Sequence, residues 1–323
     1  MAPPASILVY VGLDAVGDGL IKLPFIRALR AAFPSSRITW MAGKGHTVYA
    51  DTLAPLVLGL IDEVMDQAGI GSRVLELLGN PLPGRSFDLI IDTQRRLLTT
   101  LILKRIRHTR FISATANFHL SDAKPAGRHR PAAMAAQMMR LLEAASPGPV
   151  APPAPLPQDP AVETLAESLL PSGPVYVGLA PGAGGKHKCW PLERFCDLAQ
   201  AIAVKGAVPV FLLGPAEADW VAPIRSAAPS ALLPLQQTDK ASPMLTIALG
   251  RRMKAALAND SGTGHMLACA DIPLISLFGP TPAAKFAPST ARLHVLRAQD
   301  FGGTEMSAIP LSSVEHTLGQ CLL

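Results

Sequence analysis

Residues 146–160, SPGPVAPPAPLPQDP, hold seven prolines. Proline lacks a backbone N–H and has a fixed φ, so such a run makes neither a helix interior nor an inner strand. It reads as an extended linker. On both sides of it, strand-like apolar runs alternate with helical patterns. Before it, Ile7–Val11 reads as a strand and Leu20–Ala32 as a helix, with Ile21, Leu23, Phe25, Ile26 and Leu29 at helical spacing. Arg37–Met41 and Leu89–Ile91 read as further strands, Thr47–Ala54 as the start of a helix, and Arg95–Arg107 as a basic helical stretch. After the prolines, Val175–Leu179, Val208–Leu213, Ala255–Ala258 and Leu274–Phe278 read as strands, with Leu192–Val204 as a helix. Such alternation means βαβ units around parallel sheets. The expectation is an α/β chain of two Rossmann-like domains, 1–150 and 151–323, facing across a cleft at the carboxyl ends of their strands. The final helix, Ser313–Leu322, is a candidate to pack back on the first domain.

Hydrophobic residues make up 49% of the 323 and charged residues 16%, enough apolar material for two cores. No apolar run approaches the roughly 18 residues of a membrane span, and the start, MAPPAS, has no basic region before an apolar stretch. The expected location is cytoplasmic. The four cysteines (Cys189, Cys196, Cys269 and Cys321) form no CxxC pair and no metal spacing, so they read as reduced thiols. Residues 1–150 carry 17 Lys+Arg against 11 Asp+Glu, a balance of +6. The remainder carries 12 against 13, a balance of −1. A basic first half suits nucleic acid, a phosphorylated glycan or an anionic membrane surface, though solvated surface cations give the same count.

Four loops carry polar residues that a core does not need. The first, VGLDAVGDGLIKLP (11–24), joins strand to helix with Gly12, Gly17 and Gly19 for tight turns or close approach. It is not GxGxxG, which counts against the alternative of an NAD-dependent oxidoreductase. Asp18 in it either caps the helix or acts as a base. The second, LAPGAGGKHKCWP (179–191), places Gly182, Lys186 and Lys188 before a helix start, with Pro191 at the first helical position. Exposed amides and lysines there make an anion site. It lacks the GK[ST] ending of a P-loop. In the third, FLLGPAEADW (211–220), Glu217 at a strand's carboxyl edge either accepts from ribose hydroxyls or stabilises a helix start. The fourth, NDSGTGH (259–265), turns from a strand through Asp260, Ser261 and Gly262 into a helix holding His265. The helix amides at Ser261 and Gly262 offer a second hold on phosphate oxygens.

Together the loops resemble glycosyltransferase family 9, the bacterial ADP-heptose:lipopolysaccharide heptosyltransferases. The likeness runs, in order, through Gly17-Asp18 before LIKLPFIRALRAAFP, FDLIIDTQ (87–94), PGAGGKHKCWPLERF (181–195), LLGPAE (212–217), NDSGTGH (259–265) and PLISLFGPTPAAKFAP (273–288). The resemblance implies a GT-B fold and a metal-independent, inverting sugar transfer with no cofactor. It implies Asp18 as catalytic base, and Lys188 and His265 opposite the leaving diphosphate of an ADP-sugar. It further implies Glu217 on the ribose and Asp260, Ser261 and Gly262 on phosphate and sugar. The implied partners are a nucleotide-sugar donor and an acidic glycan or glycolipid acceptor at the inner face of the cytoplasmic membrane, and not nucleic acid. A non-catalytic sugar-nucleotide-binding relative is the other alternative, and intact Asp18 and Lys188 argue against it. Three features depart from the family's pattern: Cys189 before Trp-Pro, a second carboxylate at Asp14, and only Arg73 and Arg85 as cations in Gly69–Ser86.

Overall fold

In the computed structural model, residues 3–127, 130–146, 148 and 152–322 are described. The chain divides into two compact units, Met1–Pro157 and Gln158–Leu323, each with its own sheet. The expected boundary at 150/151 lies outside the described residues, as do Pro147 and Pro149 of the proline-rich run.

The first unit contains β1 (Ser6–Val11), α1 (Val16–Ala32), β2 (Arg37–Ala42), β3 (Glu63–Met65), β4 (Ser86–Asp92), α2 (Leu97–Leu103), β5 (Arg107–Ser113) and α3 (Met134–Ala145). All five strands are parallel, in the order β3-β2-β1-β4-β5. Ile7 through Val11 are fully buried because β1 lies mid-sheet with both faces covered, which is why it reads as an unbroken apolar run. The order reverses between β1 and β4, paired with Tyr10 opposite Asp92, so the loops after these two strands diverge and leave a crevice. The proline-rich run is tied to α1 at Ala154, whose carbonyl accepts from Arg27 Nε at 2.6 Å and whose amide donates to the Arg27 carbonyl at 3.1 Å.

Three expectations for this unit need correction. The helix expected from Leu20 begins at Val16, which draws Asp18 into its first turn. The stretch Arg95–Arg107 is not one helix: α2 ends at Leu103, and Arg107 opens β5. That strand is an edge, so its RHTR half is solvated and gives no apolar signal. Thr47–Ala54 yields only short 3-10 turns, Val48–Ala50 and Ala54–Val57.

The second unit contains α4 (Pro160–Leu169), β6 (Tyr176–Ala180), α5 (Leu192–Val204), β7 (Val208–Phe211), α6 (Val221–Ala227), α7 (Pro243–Arg251) and β8 (Ala255–Asn259). It continues with α8 (Gly262–Cys269), β9 (Leu274–Phe278), α9 (Ala283–Phe286), β10 (Leu293–Arg297) and α10 (Leu311–Leu322). Its parallel sheet runs β10-β9-β8-β6-β7 and reverses between β6 and β8. The linker ends as a helix start, with Pro160 at the first position and Asp159 Oδ1 accepting from the Ala161 amide at 2.9 Å. Pro191 is the N-cap of α5, one residue earlier than expected. The buried face of α10, through Val314, Leu318 and Cys321, joins this unit's own core. No helix among the described residues is long and apolar enough to cross a membrane.

The first sheet is closed at its carboxyl edge by a tight contact. Tyr10 donates from its hydroxyl to the Ile70 carbonyl at 2.7 Å, and Gly43 packs against that hydroxyl so closely that an added Cβ would lie 2.2 Å from it. Gly43→Ala is therefore expected to cost about 1–3 kcal/mol, the usual range for overpacking. Urea unfolding of the two proteins measures it, and equal midpoints would refute the contact's role.

Candidate functional site

The loop leaving β6 is built around Asn259, the last residue of β8, which is fully buried. Asn259 Nδ2 donates to the Pro181 carbonyl at 2.7 Å, and its Oδ1 accepts from the Trp190 amide at 3.2 Å. One carboxamide thus clamps both ends of the glycine-lysine loop. Trp190 fixes the far end, with its indole N–H donating to the Ile309 carbonyl at 2.9 Å and its ring edge-on to Phe195.

Within the clamped loop, a 3-10 turn holds Lys186, His187 and Lys188. Lys188 Nζ pairs with Asp260 Oδ2 at 3.0 Å, while Lys186 is solvent-exposed. Asp260 therefore positions Lys188, joining two residues 72 apart in sequence. Ser261 is the N-cap of α8 and accepts the Gly264 amide on Oγ at 3.2 Å. Helix geometry leaves the N–H groups of Gly262 and Thr263 without an intrahelical acceptor. These amides and Lys188 form a cationic edge at the β6/β8 reversal, where α/β sheets hold ligands.

His265 sits one turn into α8 and is buried. Burial pushes its imidazole down to about 4, against the opposing pull of Asp260. At neutral pH it is uncharged and donates from one ring nitrogen only. Glu217 makes the helix-start contact, its Oε2 accepting the Gly214 amide at 2.8 Å. Its other oxygen crowds Gly182, where an added Cβ would lie 2.5 Å from Oε1. Gly182 is thus needed for close approach rather than for a left-handed turn. Cys189 lies in the same neighbourhood, its thiol pushed up by burial and then by the Glu217 charge.

In the first unit, Asp18 lies in the first turn of α1, half-buried, and makes no hydrogen bond or ion pair among the described residues. The N-cap is Ala15, without a side-chain cap, so Asp18 does not cap the helix by hydrogen bonding. Its carboxylate sits at the end of the helix where the dipole favours negative charge. Asp14 is different. It is buried, ion-paired to Lys22, and accepts from Trp40 Nε1 at 3.0 Å and Thr47 Oγ1 at 2.8 Å. With these donors committed, Asp14 serves the fold of the loop before α1.

Two residues escaped sequence reasoning. Asn259 was legible only as part of a polar knot, because its partners are 69 and 78 residues away. Asp92, at the end of β4, is fully buried and accepts from Thr100 Oγ1 (2.6 Å), Ser113 Oγ (2.8 Å) and the Gln94 amide (2.8 Å). Burial raises its carboxyl to about 6 despite these bonds. It fixes the loop that brings Gln94 against Gly12, on the other side of the β1/β4 crevice. Among the described residues, no group of three or more His, Cys, Asp or Glu is placed to hold a metal ion.

The His265 environment has a thermodynamic consequence. The free imidazole titrates near 6.5, whereas the folded one titrates near 4. Between those values the unfolded chain binds a proton that the folded chain excludes, so stability falls as pH drops through the window. The loss is on the order of 3 kcal/mol once pH reaches 4. His265→Gln is expected to flatten that part of the stability–pH curve, and an unchanged slope in denaturant titrations from pH 7 to 4 would contradict the assignment.

The comparisons with known proteins follow the same lines. The model of the family "Glycosyltransferase family 9 (heptosyltransferase)" matches residues 77–307. A lipooligosaccharide heptosyltransferase 2 of Haemophilus influenzae is 31% identical over 134 residues, 40% of this chain. That match spans 38% of the relative's own length. Among solved structures, a family 9 glycosyl transferase from Veillonella parvula superposes with a TM-score of 0.74 at 21% identity, covering 98% of this chain and 97% of that one. The E. coli ADP-heptose lipopolysaccharide heptosyltransferase II gives 0.67 at 21%, covering 98% of both chains. The E. coli heptosyltransferase WaaC, solved with ADP, gives 0.68 at 18%, covering 98% and 99%. These likenesses establish the fold as that of the GT-B heptosyltransferases. With the family match extending over most of the chain and through the clamped loop and the Asp260–His265 turn, the chain belongs to glycosyltransferase family 9, the heptosyltransferase family.

Proposed function

We propose that this protein is an inverting, metal-independent glycosyltransferase that moves a heptose from ADP-heptose to an acidic glycan acceptor of the lipopolysaccharide-core type. The observation that carries the reading is the clamped cationic edge of the second unit, where Asn259 closes the loop that presents Lys188 beside the α8 amides. Such an edge suits a diphosphate. An adenosine donor is supported by the E. coli relative solved with ADP.

In the proposed reaction, Asp18 takes the proton of an acceptor hydroxyl as its oxygen attacks the anomeric carbon from the face opposite the leaving group. The new glycosidic bond forms as the bond to the diphosphate oxygen breaks, so the sugar carbon inverts. ADP leaves with the electron pair, and the proton remains on Asp18. Lys188 and the amides of Gly262 and Thr263 balance the growing charge on the leaving oxygens. Neutral His265 donates a hydrogen bond there without the desolvation cost of a buried cation. Asp260 holds Lys188 in place, Lys186 adds charge at the loop's exposed side, and the Glu217 oxygen not used on Gly214 accepts from the ribose.

The reading also includes contact with the inner membrane surface. Leu97 and Leu101 on α2, and Val74, Leu75 and Leu78 on the 3-10 turn packed against it, are exposed aliphatics beside Arg73 and Arg96. Co-sedimentation with anionic vesicles that weakens as salt rises is the expected result, and no sedimentation at low salt would remove this part.

Two variants test the chemistry. Asp18→Asn is expected to keep donor binding and to lose transfer by roughly 10²–10⁴-fold, the span of a positioned general base. Lys188→Ala is expected to weaken ADP binding by about 1.5–3 kcal/mol. Calorimetry in EDTA with and without Mg²⁺ decides the donor half, since ADP binding that needs Mg²⁺ would overturn the metal-independent reading.

A further inference from the structure

Three ionisable residues, Asp14, Asp18 and Lys22, stand at four-residue intervals around the start of α1. Asp18 and Lys22 are both inside the helix, so they lie one turn apart on one face, with the acid N-terminal to the cation. That order is the favoured one for a helical ion pair. Asp18 is also the only acid in α1. By local rules Lys22 belongs with Asp18, yet the structure pairs it elsewhere. Lys22 Nζ is bound to Asp14, and the Asp18 side chain makes no hydrogen bond or ion pair among the described residues.

Asp14 is placed to win this competition. Its backbone is tied to the segment after β2 on both sides, its amide donating to the His46 carbonyl at 3.0 Å and its carbonyl accepting from the Val48 amide at 3.3 Å. Its Oδ2 accepts from Trp40 Nε1 at 3.0 Å and Thr47 Oγ1 at 2.8 Å, which leaves Oδ1 for Lys22. The Trp40 ring is itself fixed edge-on to Tyr49, with centroids 5.3 Å apart. Asp14 is 2% exposed and Lys22 7%, whereas Asp18 is partly open to solvent. A pair withdrawn from water and supported by two further donors is expensive to separate.

The arrangement bears on the chemistry of Asp18. A carboxylate with an ammonium partner has its charged form stabilised and its lone pairs occupied, and both make it a poorer acceptor of a substrate proton. We propose that Asp14 is a positioning residue for transfer that acts through Lys22: it sequesters the cation one turn from Asp18 and so keeps the Asp18 carboxylate unpaired for the acceptor hydroxyl. The inference rests on the reading of Asp18 as the base and adds a division of labour between the two aspartates. One holds the cation so that the other holds none.

The two halves of the ion pair give opposite expectations, which a purely structural brace does not. In Asp14→Asn the amide keeps one oxygen for Trp40 and Thr47 and turns its NH₂ group towards Lys22. Lys22 is then a cation without a partner, with Asp18 the acid one turn away. In Lys22→Met the same ion pair is broken, but no cation is left to take Asp18. Transfer is followed as ADP release from ADP-heptose, with a heptose-deficient lipopolysaccharide core as acceptor. Asp14→Asn is expected to lower kcat by about tenfold or more, part of what a general base contributes, with KM for ADP-heptose unchanged. Lys22→Met and the Asp14→Asn/Lys22→Met double variant are expected to stay within about twofold of the parent rate. The melting temperature of Lys22→Met falls all the same, because Asp14 is left buried and unpaired. A crystal structure of Asp14→Asn is expected to place Lys22 Nζ within about 4 Å of the Asp18 carboxylate.

Three results overturn the proposal: equal losses of transfer in the two single variants, a parental rate in Asp14→Asn, or Lys22 remaining apart from Asp18 in the Asp14→Asn structure. Should Asp14→Asn not fold, the double variant decides, since loss of transfer there overturns the proposal and parental transfer supports it. If the parent protein shows no transfer, or Asp18→Asn retains it, the base reading fails, and the Asp14→Asn structure still decides whether Asp14 keeps Lys22 from Asp18.

Discussion

The second unit depends on one buried carboxamide. Asn259 is the last residue of a strand with no solvent access, and it spends a donor on Pro181 and an acceptor on Trp190. A buried amide without partners is costly, so these bonds are close to obligatory. They close a ten-residue loop that contains three glycines and would otherwise sample many conformations. Everything proposed for the donor follows from that closure. Lys188 meets Asp260 from a loop whose two ends are fixed, and Asp260 lies next to the clamp in sequence.

The first unit uses buried charge for the same purpose. Asp14 and Lys22 are both withdrawn from water and hold one another, with Trp40 and Thr47 completing the carboxylate's bonds. Such a pair contributes little net stability but is expensive to break, because either partner alone is a buried unpaired charge. It therefore specifies geometry, tying the loop before α1 to the segment after β2. Asp92 does likewise on the other side of the crevice, joining β4, α2 and β5 through Thr100 and Ser113. Asp18, in the first turn of α1, is a carboxylate that neither network consumes.

Much of this was legible in the amino-acid order. Central strands are buried on both faces, so β1, β6, β8 and β9 appear as continuous apolar runs, and α5 and β9 begin and end where their patterns do. Three of the four edge strands were not legible: β3, β5 and β10 keep polar or partly exposed residues because one side of each is unpaired, whereas the edge strand β7 was read because three of its four residues are buried. The start of α1 was missed because its N-cap is alanine and its first turn holds two glycines, neither of which signals a helix.

By itself, the sequence determined the α/β class, the division into two units and the family, because apolar periodicity, proline chemistry and ordered motifs are local properties. It also singled out Asp18, Lys188, Glu217, Asp260, Ser261 and His265 as polar residues at strand ends. Only the tertiary structure decided which of the two neighbouring aspartates is free, since Asp14 is committed by Trp40 and Thr47, 26 and 33 residues away. It alone paired Lys188 with Asp260 and neutralised His265 by burial. Partnership and desolvation depend on distance in space, and a linear order of residues does not carry that quantity.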